Sequence, residues 1–386
     1  MKISRLAILI AISIIAPVLA AAQESMPLAQ HVSGNVPVQA TSSVHVLSAE
    51  RPFMPPLSQP PAENPAGHPW KLQASLAGAV IHDLSFASPL IGYAAAELGQ
   101  VWKTTDGGNT WTEIVNLGSP YYFYGVSALT ANDVVISGFY DSSTFEGLIR
   151  WSHDGGQTWS SDIDLTSTGW VQRVRFPNAN DGLIMDLIGG SSGNLAEYTT
   201  DGGATAADWN TVVDNPAGNW YGLQFSLLPN LHARASGINF CKSAHDGATW
   251  TCGPSVDSVF DGPVFFLNDT YGWVGGGEIS PNVEGWAHVT TDGGKTWTGR
   301  TLDGPWPIRE ILFRTPKVGW AAGGNLYTGV GGIFYSSNGG QTWSVDVTTN
   351  AEMDACDKQV TSSSFDIWCA GYNSSFTGVI YKLHLK

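Results

Sequence analysis

One eight-residue phrase returns along this chain at a nearly fixed interval, and it limits what the rest can become. Its fullest copy is Thr290-Thr291-Asp292-Gly293-Gly294-Lys295-Thr296-Trp297. Intact copies run from Thr104 to Trp111, with Asp106 at the acid position, and from Ser152 to Trp159, with Asp154. A fourth, from Ser336 to Trp343, carries Asn338 there. Two copies are worn: Asp201-Gly202-Gly203 reaches Trp209 only after an insertion, and in the stretch ending at Trp250 the acid has slipped to Asp246. Asp or Asn before Gly-Gly supplies the positive φ of a tight hairpin, and its side chain accepts hydrogen bonds from its own loop. The Trp that follows opens the returning strand with a large ring to bury. An acid that recurs once per repeat holds turns; a catalytic acid is needed once per site.

The closing tryptophans fall at 111, 159, 209, 250, 297 and 343. Spacing of 41 to 50 residues, filled with short β-rich segments, is the signature of a propeller with one four-stranded blade per repeat. Within the repeats Phe86 precedes Gly92 by six residues, as Phe176 precedes Gly182, Phe266 precedes Gly272 and Phe313 precedes Gly319. Each unit reads as an innermost strand ending near the Phe, a second and third strand, the Asp-Gly-Gly hairpin, and an outer strand from the Trp. The last units, Phe365–Gly371 and Gly378–Lys382, lack an outer strand, whereas Trp70-Lys71-Leu72-Gln73 is an outer strand without a blade. The expectation is an all-β, seven-bladed propeller whose seventh blade is closed by both chain ends, leaving no free inner edge.

Residues 1–22 read as a secretory signal, with Lys2 and Arg5 before an apolar core and Ala20-Ala21-Ala22 as a cleavage site. Losing Lys2 and Arg5 takes the formal charge from −15 to −17, which disfavours nucleic acid or an anionic membrane as partner. Residues 23–68 are rich in Pro, Ser and Ala and read as a disordered linker; the propeller then occupies 69–386. In an oxidising compartment the close pairs Cys241 with Cys252 and Cys356 with Cys369 are expected as two disulfides. The first would staple the worn fourth hairpin, and the second would pin the closing blade. No spacing suits a metal, no cofactor is implied, no later segment is apolar enough to span a membrane, and a monomer is expected.

Given the repeated Ser/Thr-x-Asp-x-Gly-x-Thr-Trp, the chain resembles the Asp-box (BNR-repeat) propellers, which include sialidases, xyloglucanases, sortilin and the photosystem II assembly and stability factors. The resemblance to the last group is the strongest, carried by Phe313 to Trp343 and Phe266 to Trp297 and extending over about residues 70 to 384. It implies a seven-bladed fold and a non-catalytic role in binding a partner protein during assembly of a membrane complex. No photosynthetic hallmark accompanies it, so the binding role carries over rather than the photosystem.

Propeller ligands sit where loops enter the innermost strands. The entering segments bring aromatics from five blades: Tyr121 and Tyr122, Trp170, Trp220 with Tyr221, Phe260, and Trp306. Such rings stack on sugars or grip a peptide, making protein or carbohydrate the expected partner, unless they plug the channel. Arg173 and Arg175 share one side of an innermost strand, and Arg309 opens another. They suit a carboxylate ligand, or internal salt bridges to Asp261, Asp303 or Glu310. The alternative to a binding module is a glycoside hydrolase, which would show two facing carboxylates or three converging arginines in the funnel.

Overall fold

The computed structural model describes residues 67–141, 146–188, 194–212, 224–228, 232–236, 240–244, 247–257, 261–278, 283–302, 304–325 and 328–386. The signal and nearly all of the linker lie outside them, as do Trp220, Tyr221, Phe260, Asp246 and Asp303. The architecture is all-β, with seven blades. Blade 1 has the strands Ile81–Phe86, Gly92–Ala96, Gln100–Thr104 and Thr112–Asn116, paired in chain order from the channel outwards. Blade 2 begins with Tyr121–Ala128, Val134–Tyr140 and Glu146–Ser152. Its outer edge is the first part of a long strand, Ile163–Arg175, whose second part is the innermost strand of blade 3, so the two blades form one seven-stranded sheet. Blade 3 continues with Gly182–Ile188, Asn194–Thr199 and Asn210–Thr211. Blade 4 is Gln224–Leu227, Ala233–Ser236, Cys241–Ser243 and Thr251–Cys252. Blade 5 is Asp261–Phe266, Gly272–Glu278 and Glu284–Thr290; its outer edge is irregular, with Thr298 and Thr301 donating to the Val289 and Ala287 carbonyls. Blade 6 is Ile308–Phe313, Gly319–Asn325, Val330–Ser336 and Ser344–Thr349.

Blade 7 joins the ends of the folded chain. Glu352–Val360, Phe365–Tyr372 and Thr377–Leu385 pair in order, and Lys71–Ala77 adds antiparallel to the last of them. His68 belongs to the folded part rather than to the linker: with Trp70 it docks on Asp346, in the outer strand of blade 6.

The Phe and Gly six residues apart have a steric cause. A Cβ on Gly92, Gly182, Gly272 or Gly319 would lie 2.6, 2.3, 2.3 or 2.4 Å from the ring of the preceding Phe, so only hydrogen fits beneath the ring. The same Phe meets the closing Trp of its own blade edge-on, at 5.9 Å for Phe86–Trp111 and 5.8 Å for Phe313–Trp343. It also stacks on a second-strand Trp of the preceding blade, at 3.7 Å for Phe86–Trp368 and 3.6 Å for Phe313–Trp273. These aromatic triples fill the seams between blades with buried area and ring–ring attraction.

The Asp-Gly-Gly turns are self-contained. Asp292 accepts the Thr296 N–H at 3.0 Å and its hydroxyl at 2.6 Å, while the Thr290 hydroxyl accepts the Gly294 N–H at 2.9 Å. Those bonds, led by the Thr296 hydroxyl, hold the carboxyl far below its usual range. Asp106 and Asp154 repeat the pattern. Asn338 repeats it without charge, accepting the Thr342 N–H at 3.0 Å and donating to its hydroxyl at 2.8 Å. Two glycines at φ +76° and +79° turn the chain. The turns also latch blades together: Gly107 accepts Trp368 Nε1 at 2.9 Å, Gly155 accepts Lys103 Nζ at 2.7 Å and Gly339 accepts Trp273 Nε1 at 2.9 Å. In the worn third copy Asp201 keeps only the Thr199 hydroxyl among these bonds, and Asp208, from the inserted turn of helix, takes the Thr205 N–H. Trp209 and Trp250 still donate to turn carbonyls, Gly203 and Gly247. Because Asn already serves in blade 6, Asp292→Asn is expected to leave the melting temperature nearly unchanged, whereas Asp292→Ala, which removes the acceptor, lowers it in calorimetry.

Both disulfides form. Cys241–Cys252 links directly paired residues of the third and outer strands of blade 4, stapling the worn hairpin. Cys356–Cys369 joins the innermost and second strands of blade 7. Both strands come from the C-terminal end, so this bridge stiffens the blade and does not pin the closure. The closure rests on backbone pairing of Lys71–Ala77 and on Asp346.

Candidate functional site

The innermost strands share a defect in their register. A one-residue bulge interrupts pairing between Ile81 and Asp83, Phe123 and Gly125, Ile308 and Glu310, and Met353 and Ala355, and a matching shift falls opposite Val171 and Arg173. A bulge leaves one residue unpaired and re-aims its side chain, a device common beside functional sites. The residues so released are His82, Tyr124, Gln172, Arg309 and Asp354, all toward the entering end of the channel. Three of them meet across blades 7, 1 and 2. His82 stacks on Tyr124 at 4.1 Å, lies 3.4 Å from an Asp354 oxygen, and contacts Glu97 at 3.2 Å. Tyr372 closes over the imidazole edge-on at 5.6 Å. Burial alone would depress His82, but the Asp354 and Glu97 carboxylates outweigh it and raise the imidazole to about 9. Arg309 donates to Glu352 at 2.7 Å, and burial lifts Glu352 to about 7 against that guanidinium.

The aromatic run continues past Tyr124. Trp170 is half-buried, stacked 5.0 Å from Phe139 and 6.2 Å from Tyr124. Tyr121 lies at the edge of this group with its hydroxyl 3.2 Å from Asp162 and Arg150 over its ring. Two rings expected on the face are core residues instead. Tyr122 is 2 % exposed and stacks on Phe139. Trp306 is 3 % exposed and packs against Phe334 in the seam between blades 5 and 6. Gly285 leaves room for its backbone carbonyl and Gly332 for its indole.

Deeper in the channel, Arg173 and Arg175 converge on one buried carboxylate. Arg173 reaches Asp83 at 2.6 Å, Arg175 at 2.7 Å, and the Asp83 residue is 0 % exposed. Asp83 also accepts the Val126 N–H. Burial opposes its ionisation, but the two guanidiniums prevail and hold it below its usual range. The arginines are thus internally bridged, chiefly to Asp83, with Glu310 3.6 Å from Arg173 as a lesser partner. Glu310 is lifted by burial to about 7. Below lies the turn-side channel mouth, a cavity of about 330 Å³ lined in part by Arg175, Glu310, Asp357 and Lys358.

These values set a pH profile. His82, Glu352 and Glu310 are all raised in the folded protein, so the stability each contributes is complete below its unfolded value and lost as pH climbs through the folded one. The windows run from 4.5 to about 7 for the two glutamates and from 6.5 to about 9 for His82. Melting temperature is therefore expected to fall steadily from pH 5 to pH 8 in scanning calorimetry, and His82→Ala to flatten the upper half of that fall.

Sequence reasoning reached Trp170, Tyr121 and the three arginines, but it missed His82, Glu97, Glu352, Asp354, Tyr372 and the partner Asp83. Aligning the innermost strands would have placed His82, Tyr124, Arg309 and Asp354 at one position; a bulge itself leaves no compositional mark. Among the described residues no group of His, Cys, Asp and Glu is arranged to hold a metal, and no helix is long and apolar enough to cross a membrane.

No protein-family model matches the chain, and no curated protein matches it by sequence. Solved structures do. It is similar to YCF48 bound to D1 peptide, with 20 % identity, 84 % of this chain and 99 % of that one covered, and a TM-score of 0.61. Against YCF48 from Cyanidioschyzon merolae the identity is 19 %, the coverage 82 % and 98 %, and the TM-score 0.57. Against a GH74 xyloglucanase from Xanthomonas campestris the identity is 14 % and the TM-score 0.60, with 80 % of this chain matching 54 % of that enzyme. The fold is therefore a seven-bladed propeller, similar in structure to YCF48, as the resemblance read from the sequence implies.

Proposed function

We propose that this protein is an exported, non-catalytic propeller that binds a peptide segment of a partner protein across its entering face. The observation that carries this reading is the throat itself. It offers a run of rings from His82 through Tyr124 to Trp170, backed by the buried Tyr372. Its carboxylates are held in ion pairs, Glu97 and Asp354 on His82 and Glu352 on Arg309. A rigid aromatic surface with its polar groups paired suits recognition; a glycosidase needs two carboxyl groups that face each other and reach the sugar, and Glu97 and Asp354 are both engaged by His82. A sialidase-like anion site is disfavoured because Arg173 and Arg175 are both committed to Asp83. YCF48, a propeller of similar fold, is bound to a peptide in its structure, which supports a peptide as the ligand here. Export is supported by the leader-like residues 1–22 and by two disulfides.

Selection of displayed linear peptides on the intact propeller tests the reading. A reproducible set is expected to enrich, and Tyr121→Ala with Trp170→Ala is expected to abolish binding by that set while the fold persists by circular dichroism. Failure to enrich any peptide, or release of reducing sugar from xyloglucan, would overturn it.

A further inference from the structure

Charge is divided between the two faces of the disc. Lys103, Lys242, Lys295, Lys317, Lys358 and Lys382 all stand in the turn-side half, in or beside the Asp-Gly-Gly turns or at the far end of an innermost strand. Lys71 and Lys386 lie at the same end of blade 7. No lysine or arginine occurs in any segment outside the described residues after residue 66, so no undescribed loop of the propeller restores the balance. The entering rim is acidic: Asp141, Glu146, Glu278 and Glu284 stand on or beside the loops joining second to third strands. Glu278 and Glu284 are directly opposed across a strand pair. Like charges so placed weaken a sheet, and Arg300, 3.2 Å from Glu284, offsets part of this.

The throat repeats the preference in a built form. Two tyrosines and two carboxylates surround His82, which their company keeps protonated to about pH 9. Rings with carboxylates beside them are the surroundings that hold a cation, here His82 itself, and the bulges that aim His82, Tyr124 and Asp354 inward are independent of the rim's composition. Exposed Leu117, Val283 and Val330 lie on the same face, 39 %, 43 % and 38 % accessible. The face combines apolar contact with an excess of negative charge, whereas on the opposite face the lysines offset the Asp106, Asp133, Asp154, Asp269 and Asp292 carboxylates.

We infer that the peptide taken by the entering face is cationic, a lysine- or arginine-rich segment of the partner whose side chains lie along the acidic rim and over the Tyr124 ring. This rests on the peptide-binding reading and names the chemistry of its ligand. Charge complementarity of this kind sets both encounter rate and partner choice.

Fluorescently labelled synthetic peptides of one length, lysine-rich, glutamate-rich or serine-glycine, titrated against the full chain, test the inference. Two variants carry equal changes in net charge: Asp141→Lys with Glu146→Lys on the entering rim, and Glu113→Lys with Asp181→Lys away from it. The lysine-rich peptide is expected to bind and the other two not. The rim variant is expected to weaken it on the order of tenfold more than the control variant, with both variants melting as the parent does. Equal losses in the two variants would mean that only net charge acts, and would overturn the inference. Binding of the neutral or acidic peptide as tightly as the basic one would overturn it while leaving peptide binding intact. Binding of none of the three, in a chain that does enrich displayed peptides, would overturn the charge assignment alone; failure of both experiments would remove the peptide-binding reading as well.

Discussion

Asp83→Ala is expected to lower the unfolding free energy by about 3–5 kcal/mol, the cost of stripping a buried ion cluster of its counter-charge. The carboxylate accepts from Arg173 at 2.6 Å, from Arg175 at 2.7 Å and from the Val126 N–H at 2.9 Å. It thereby ties the innermost strands of blades 1, 2 and 3 at one point. Its removal leaves Arg173, only 8 % exposed in its side chain, with the Asp354 carbonyl at 3.3 Å and Glu310 at 3.6 Å as its nearest partners. Urea denaturation measures the loss. Adding Arg173→Met and Arg175→Met to Asp83→Ala should recover most of it, because an apolar filling replaces an unpaired charge. A loss below about 1 kcal/mol would mean that water enters the channel and screens the cluster. Since the Asp83 carboxyl is depressed in the folded state, its contribution is present above the ordinary carboxylate range and lost on acidification. This limb opposes the fall toward alkaline pH set by His82 and the two glutamates.

The second large effect is expected at Asp346, which is 0 % exposed and holds the closing strand from the neighbouring blade. It accepts Trp70 Nε1 at 2.7 Å, Trp320 Nε1 at 3.0 Å and His68 Nδ1 at 3.0 Å. Asp346→Ala would orphan the buried Trp320 N–H and the half-buried Trp70 N–H, and at about 1–3 kcal/mol for a buried donor left unmet the cost is a few kcal/mol. The consequence is local before it is global. Lys71–Ala77 loses its anchor beside blade 6, frays from Thr377–Leu385, and leaves that strand as an open edge. Limited proteolysis should cut the variant first near residues 68–77, and hydrogen exchange should quicken at Ile380 and Lys382. Cys356–Cys369 does not protect against this, since both its strands lie on the C-terminal side of the closure.

How much of this could be read beforehand follows from which physics is local. The hairpin turns were legible because Asp292, Gly293, Gly294 and Thr296 solve their hydrogen bonding within a few residues. The Phe and Gly spacing was legible because a ring above a hydrogen atom is a two-residue constraint, and the closing strand because Trp70 repeats the role of Trp111. The throat was not. His82 meets Asp354 across 272 positions of sequence, and the bulge that turns it inward costs no distinctive residue. Trp306 shows the opposite failure: its place in an entering segment pointed to the face, but Gly285 lets its backbone approach and Gly332 leaves room for the indole between blades 5 and 6. Arg173 and Arg175 were correctly paired with each other, yet their shared partner lay two blades away on the first innermost strand.

The central claim is that the repeated turns are scaffold and that recognition belongs to the opposite face. Hydrogen–deuterium exchange on the propeller with and without a saturating selected peptide tests it most directly. The account predicts new protection in residues 97–100, 121–124, 140–141 and 352–354, and none in the turns at 104–111, 152–159 and 290–297. Protection confined to those turns, with the entering segments unchanged, would contradict it.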